Sequence, residues 1–307
     1  MIKLFSGSAH PRLTEEVAQL LKVPIAKSEV VRFGNSEVRV RVEDNVKGSR
    51  CVVIQPTANP TDTNLMELFL FCDALRRQEA QRVIGFIPYF GYARQNIQHR
   101  NGECVSVNVV IRILEALGFH KVYTFDLHDE ATEGVFSIPF RNLSALPLMA
   151  DVVKKYLESD VSEKQVAVVS PDQGGIERAR KFGSHFFGHF DFHLAVTEKK
   201  RDQDHIHQSE AIDIYGNLKG KIAIIVDDVA TSAGTLIHSA ALCKKNGATR
   251  VIAAVTHHDF SENAPGRIQD SDIEKFFTTN TIQLKENEKF EKLEEVSIAK
   301  LIADELV

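Results

Sequence analysis

Tryptophan is absent and cysteine is scarce: 307 residues carry four, Cys51, Cys72, Cys104 and Cys243. None of them forms a CxxC pair or a zinc-ligand spacing, so the chain offers neither a zinc module nor a disulfide framework. They read as small buried hydrophobes. No apolar run approaches the roughly 18 residues of a membrane span, and the first residues lack the apolar core of a signal peptide. These absences predict a cytoplasmic protein with no membrane partner. Positive charge is also in short supply. Lys and Arg number 37 against 42 Asp and Glu, a net charge of -5, whereas a general nucleic-acid binder carries a basic surplus. Nucleic acid is excluded as a partner; local cationic sites for small anions are not.

The composition, 43% hydrophobic and 26% charged, is that of an ordinary globular protein and excludes a disordered or collagen-like chain. Short apolar runs at 51–55, 83–88, 122–125, 166–170, 222–226 and 251–255 read as buried strands. Between them, 64–78, 105–117, 145–157, 174–182 and 235–246 carry apolar residues at helical spacing. Gly118 and Gly247 fall where helix C-caps belong. Strand and helix alternation predicts an α/β fold with parallel sheets flanked by helices, and the pattern occurs twice. The end of the chain, from Lys292, reads as a final helix.

The segment Ile222-Ala-Ile-Ile-Val-Asp-Asp-Val-Ala-Thr-Ser-Ala-Gly-Thr235 carries the clearest chemistry. A buried strand ends in two acids, and a short hydroxyl- and glycine-containing turn opens a helix. In parallel α/β sheets ligands bind at the carboxyl ends of strands. Backbone N–H groups over Ala233 and Gly234 and the hydroxyls of Thr231, Ser232 and Thr235 can cradle a phosphate monoester. Asp227 and Asp228 can accept hydrogen bonds from vicinal sugar hydroxyls. No Gly-Lys-Thr follows, which excludes a P-loop.

This segment resembles the phosphoribosyl-diphosphate loop of the type I phosphoribosyltransferases. Seven further motifs narrow the resemblance: Phe5-Ser-Gly-Ser8, Arg32-Phe-Gly-Asn-Ser-Glu37, Asn64-Leu-Met-Glu-Leu68, Ile87-Pro-Tyr-Phe-Gly-Tyr-Ala-Arg-Gln95, Asp126-Leu-His128, Val169-Ser-Pro-Asp-Gln-Gly-Gly175 and Glu198-Lys-Lys-Arg201. Their order and spacing resemble those of ribose-phosphate diphosphokinases (PRPP synthetases) over nearly the whole chain. The resemblance implies two tandem phosphoribosyltransferase-like domains, one over 1–143 joined by the final helix at about 290–307, the other over 144–289. It also implies transfer of diphosphate from ATP to the C1 hydroxyl of ribose 5-phosphate, giving PRPP and AMP for nucleotide biosynthesis.

The same resemblance implies roles for individual residues. Lys199 and Arg201 match the catalytic Lys-x-Arg pair, two cations able to neutralise charge during phosphoryl transfer. Arg94 and Gln95 match an ATP-binding pair, and Phe33, Asn35 and Glu37 an adenine-holding loop. That loop comes from a neighbouring subunit in relatives, so a homo-oligomer is implied, a dimer as minimal unit with tetramers or hexamers as larger forms. Asp227, Asp228, Thr231, Ser232, Ala233, Gly234 and Thr235 match the ribose 5-phosphate loop. His128 and Asp172 match magnesium-associated positions, which makes Mg2+ the expected cofactor, held in part by substrate phosphates and water.

Some positions depart from the common pattern. Asn96-Ile-Gln98 stands where relatives carry Asp and basic residues, Ala131 where they carry Gln, and Thr231 where they carry Asp. The first of these loops resembles the archaeal-type branch. The departures leave two other readings open, a catalytically weak regulatory homologue and a phosphoribosyltransferase that consumes PRPP. Two histidine groups do not read as metal sites. His257 and His258 are adjacent on a strand and point oppositely. His185, His189 and His193 read as surface histidines on a loop, with Phe186, Phe187 and Gly188 ending the helical pattern.

Overall fold

The computed structural model describes residues 2–157, 162–201, 209–261 and 263–307, with the side chains of 163, 199–201 and 209–212 outside that description. The chain forms two compact units, one of residues 1–144, 281–283 and 297–307, the other of 145–280 and 284–296.

The first unit opens with β1 (Ile2–Ser6) and α1 (Pro11–Leu21). The His10 side chain accepts the Leu13 N–H and Pro11 occupies the first turn, where its missing donor costs nothing. A separate antiparallel hairpin follows, β2 (Ser28–Arg32) and β3 (Val38–Val42). Then come β4 (Arg50–Ile54), α2 (Thr61–Arg77), β5 (Arg82–Phe86), α3 (Ser106–Leu117), β6 (Lys121–Phe125) and β7 (Phe140–Leu143). The main sheet runs β1-β4-β5-β6-β7, every neighbouring pair parallel. Cys51–Ile54 and Val83–Phe86 are buried along their length, as strands covered on both faces must be. α2 and α3 cover one face, where Phe71, Leu75, Ile111 and Leu114 meet Cys51, Val53 and Val83.

The second unit comprises α4 (Leu146–Leu157), β8 (Val166–Ser170), α5 (Ile176–Phe187), β9 (Leu194–Arg201), β10 (Ser209–Tyr215), β11 (Ile222–Val229), α6 (Gly234–Lys245), β12 (Arg250–His257), α7 (Ala264–Gln269), β13 (Lys275–Thr279) and β14 (Leu293–Val296). Its seven-stranded sheet has the order β10-β9-β8-β11-β12-β13-β14, parallel except for the β9–β10 edge pair. Strand alternation divides the core. Val168, Ile224 and Val226 face α4 and α5 with Phe182 and Phe186, while Val169, Ile225 and Val255 face α6 with Leu236 and Cys243. The chain returns to the first unit in α8 (Ala299–Leu306), which packs on α1; Ser297 donates to Glu16 at 2.5 Å and Arg141 pairs with Glu305 at 3.0 Å.

Three expectations need correction. The final helix starts at Ala299, because the residues ahead of it add β14 to the second sheet. α5 does not stop near Phe182 but continues through His185 to Phe187, since Ala179, Phe182, Gly183, Phe186 and Phe187 keep one buried helical stripe. His185 therefore sits on a helix, exposed, with its Nε2 3.1 Å from Asp151; His189 and His193 are exposed as expected. Of the cysteines, Cys51, Cys72 and Cys243 are buried, but Cys104 is exposed. Among the described residues no helix is long and apolar enough to cross a membrane.

Candidate active site

In the second unit the chain leaves β8 for β9 on one side and later returns to place β11 on the other. The carboxyl ends of β8 and β11 thus flank a topological switch point, where open α/β sheets leave a crevice for ligand. Asp227 and Asp228 lie at the end of β11 and are nearly buried, with side chains 14% and 5% exposed. Arg178 of α5 reaches both: its Nη1 is 3.2 Å from Asp227 Oδ1 and 3.2 Å from Asp228 Oδ1. Asp227 Oδ1 also accepts the Asp228 N–H at 2.9 Å. Burial and the neighbouring Asp228 charge push the Asp227 carboxyl above the usual aspartate range, with Arg178 acting the other way.

Past the acids, Ala230 N–H donates to the carbonyl of His257 at 2.8 Å, which fixes the loop to the end of β12. Ala233 adopts a left-handed conformation with φ 58°, and α6 begins at Gly234. Arg267 of α7 donates from Nη1 to the Ser232 carbonyl at 2.9 Å, and Ser261 N–H to the Thr231 carbonyl at 3.1 Å. The loop carbonyls are thereby turned to protein donors. The amides and hydroxyls of Thr231–Thr235 head a helix whose dipole favours an anion.

On the neighbouring strand end, Asp172 follows β8. Its Oδ1 accepts the Gly175 N–H at 3.0 Å, and the Ser170 hydroxyl donates to the Asp172 carbonyl at 2.6 Å. The structure thus brings Asp172, Asp227 and Asp228 to adjacent ends of one sheet. Lys199 and Arg201 lie in β9, beside β8, but their side chains are outside the described residues. His257 and His258 are both buried, and His258 Nδ1 lies 3.3 Å from Thr278 Oγ1. Among the described residues no three His, Cys, Asp or Glu side chains form a ready cage for a metal ion.

In the first unit the corresponding strand ends are those of β4, β5 and β6. Thr57, beyond β4, donates its hydroxyl to the Tyr89 carbonyl at 3.0 Å and accepts the Gly91 N–H at 2.7 Å. Gly91 is required there: a Cβ would lie 2.4 Å from the Thr57 carbonyl oxygen. The turn continues through Tyr92, whose φ is 67° and whose hydroxyl donates to Asp62. Arg94 and Gln95 emerge exposed, and Gln95 accepts a hydrogen bond from Ser106 at the start of α3. His128 is exposed at the end of β6, next to Asp129. Phe33, Asn35 and Glu37 form the tip of the β2–β3 hairpin. Phe33 N–H donates to the Glu37 carbonyl at 2.8 Å, Glu37 N–H to Asn35 Oδ1 at 3.2 Å, and the Phe33 ring is 45% exposed with Arg39 5.9 Å from its centre. An aromatic face held outward on a braced turn suits stacking against a planar ligand.

Sequence reasoning missed Arg178. It lies 49 residues from Asp227, in helical sequence with no motif of its own. The only signal was indirect: two adjacent acids at the end of a buried strand demand a cation.

Comparison with known proteins follows these features closely. Residues 2–118 match the N-terminal domain of ribose phosphate pyrophosphokinase, and residues 191–307 the phosphoribosyl synthetase-associated domain. The chain is 38% identical over 306 residues to a ribose-phosphate pyrophosphokinase of Thermosipho africanus, covering 100% of this chain and 93% of the relative. It is 36% identical, with the same coverage, to ribose-phosphate pyrophosphokinase 1 of Streptococcus pyogenes. The crystal structure of phosphoribosylpyrophosphate synthetase from Mycobacterium smegmatis superimposes with a TM-score of 0.89 at 31% identity, covering 99% of this chain and 97% of that one. The chain belongs to the ribose-phosphate pyrophosphokinase family, and its fold is the two-domain α/β fold expected from the sequence.

Proposed function

We propose that this protein transfers diphosphate from ATP to ribose 5-phosphate, giving PRPP and AMP and supplying nucleotide biosynthesis. The observation that carries the reading is the Asp227–Thr235 loop at a sheet switch point, in a chain similar over its full length to ribose-phosphate pyrophosphokinases. In the reaction the C1 hydroxyl oxygen bonds to the β-phosphorus of ATP. The bond from that phosphorus to the α,β-bridging oxygen breaks, AMP leaves with the bridging oxygen, and the hydroxyl proton passes to solvent. Asp227 and Asp228 hold the two ring hydroxyls, and their placement by Arg178 fixes where C1 lies. The amides and hydroxyls of Thr231, Ser232, Ala233, Gly234 and Thr235 bind the 5-phosphate. Arg94 and Gln95 bind ATP phosphates, and Phe33 stacks on adenine while Asn35 and Glu37 read its edge. Lys199 and Arg201 neutralise charge on the transferred diphosphate and the departing AMP.

The donor chemistry fits Mg2+. Asp172 offers hard carboxylate oxygens, one of them already oriented by the Gly175 N–H, and Mg2+ bound through few protein oxygens completes its shell with substrate phosphates and water. Asp172 would hold the ion, and the ion would supply charge neutralisation at the polyphosphate; His128, the other magnesium-associated position, would act on ATP phosphate. We place the working protein in the cytoplasm as a homo-oligomer of at least two subunits.

Purified protein incubated with ATP, Mg2+ and ribose 5-phosphate should release AMP and PRPP in equal amounts. Absence of stoichiometric AMP would overturn the proposal. Lys199→Ala should lower kcat far more than it raises the KM for ribose 5-phosphate, the signature of a group acting in the transition state.

A further inference from the structure

Three of the sequence motifs, Phe5-Ser-Gly-Ser8, Arg32-Phe-Gly-Asn-Ser-Glu37 and Asn64-Leu-Met-Glu-Leu68, each hold a residue with no task in the reaction as described above: Ser8, Arg32 and Glu67. They meet at one carboxylate. Glu67 of α2 is fully buried, with 0% exposure. Its Oε1 accepts the Ser8 N–H at 2.6 Å and the Gln55 side-chain amide at 3.3 Å; its Oε2 accepts the Ser8 hydroxyl at 2.6 Å and Arg32 Nη2 at 3.1 Å. Gln55 Oε1 in turn accepts the Ala9 N–H at 3.1 Å. Gly7 lets these groups close up, for a Cβ there would lie 2.0 Å from Gln55 Oε1.

A buried carboxylate is costly unless its donors are well placed, and these tie the loop after β1 and the core of α2 to the residue before Phe33. The β2–β3 hairpin is a sheet of its own, apart from the main sheet. It is fastened to α2 at two polar points. Gln78 donates to the Val42 carbonyl at 2.7 Å at the base, and Glu67 holds Arg32 at the root of the exposed tip. Between them Val30 and Val40 pack on the core that includes Leu68 and Leu75. The basal bond sets where the hairpin attaches; the Glu67–Arg32 pair sets the pose of its tip.

We propose that Glu67, acting through Arg32, is a positioning residue for the Phe33–Glu37 tip and thereby for recognition of the nucleotide base. This inference rests on the assignment of that tip to adenine. Arg32, 38% exposed in its side chain, is the informative position, because Arg32→Met keeps the stem and removes only the guanidinium. Arg32→Met should raise the KM for ATP about tenfold, about 1.4 kcal/mol, and narrow the preference for ATP over GTP. The KM for ribose 5-phosphate should stay near wild type, while the melting temperature falls because buried Glu67 loses the cation beside it. Glu67→Gln places an amide donor among four donors, so it should also lower stability. The double variant should show no greater KM for ATP than the worse single one, since both break one contact.

An Arg32→Met enzyme with unchanged KM for ATP and unchanged base preference would overturn the proposal. So would an equal loss in kcat and in both KM values, which marks a merely structural role. Calorimetric affinity for a non-hydrolysable ATP analogue reads the same contact without turnover. A wild-type protein that binds the analogue but makes no AMP would defeat the reaction proposed above, while Arg32→Met would still decide the role of Glu67.

Discussion

The side-chain amide of Asn96 donates to Asp129 Oδ2 at 2.5 Å. Asp129 Oδ1 accepts the Ala131 N–H at 2.9 Å, so one carboxylate bridges the loop after Arg94-Gln95 and the loop after His128. Positions 96 and 131 therefore belong to one local device. Asn96→Asp would set two carboxylates against each other and part the loops. Its KM for ATP should rise about tenfold, more than its KM for ribose 5-phosphate, in steady-state assays of both substrates. Equal KM values for wild type and variant would show that the bridge does not serve the nucleotide.

Arg178 is the cation between Asp227 and Asp228, its side chain 13% exposed. Arg178→Met removes the guanidinium from beside two nearly buried acids and should cost about 3 kcal/mol in urea unfolding, with a raised KM for ribose 5-phosphate. The pH dependence has a definite sign. A carboxyl such as Asp227, raised in the folded state by burial and by Asp228, binds its proton more tightly there than in the unfolded chain. Its contribution to stability therefore falls as pH rises through the folded value. Removing Arg178 strengthens that raise. The deficit of Arg178→Met should be full at neutral pH and shrink on acidification; a deficit that stays constant would contradict the assignment.

The opposite sign applies at Glu274. Its oxygens accept from Arg250 Nε and Nη2 over 2.6–3.1 Å and from the Tyr156 hydroxyl at 3.0 Å. Chiefly through Arg250, these bonds hold its carboxyl below the usual glutamate range. The stability it supplies is present above the unfolded-chain value and is lost as pH falls through the folded one. More than a third of each partner is exposed, so Glu274→Gln should cost only about 0.5–1 kcal/mol at pH 7. The cost should vanish in strong acid. Urea titrations at both pH values test this.

Burial raises the thiols of Cys51 to about 11 and of Cys72 and Cys243 to about 12, so none is a ready nucleophile in the native state. Cys104 is exposed, with its Sγ 3.3 Å from the Ser106 hydroxyl that also bonds Gln95. A maleimide should label Cys104 alone under native conditions, as read by peptide mass spectrometry, and ATP should slow the reaction. Labelling of Cys243 at a comparable rate would mean that the second unit opens readily.

The strands that carry the site were legible because parallel strands buried on both faces are written as unbroken apolar runs: β4, β5, β6, β8, β11 and β12. The edges were not. β14, at the edge of its sheet, mixes polar and apolar residues and reads in the sequence as part of a helix. His185 was misplaced because Phe186 and Phe187 looked like an interruption, whereas they continue the stripe begun at Ala179 and Phe182. In the site, paired acids and a hydroxyl-rich turn are local signals, and those could be read directly. Arg178, the Asn96–Asp129 bridge and the four donors around Glu67 are partnerships made only by the fold.

Helix α8 completes the first unit yet follows all of the second in the chain. During synthesis β1 and α1 emerge early, but the surface of α1 that meets α8 stays open while some 275 residues are added. A nascent chain stalled with only residues up to Val296 outside the ribosome would carry the whole second unit and a first unit lacking its closing helix. The first unit is thus closed only after the second has been made, and the surface of α1 that meets α8 stays uncovered in the meantime.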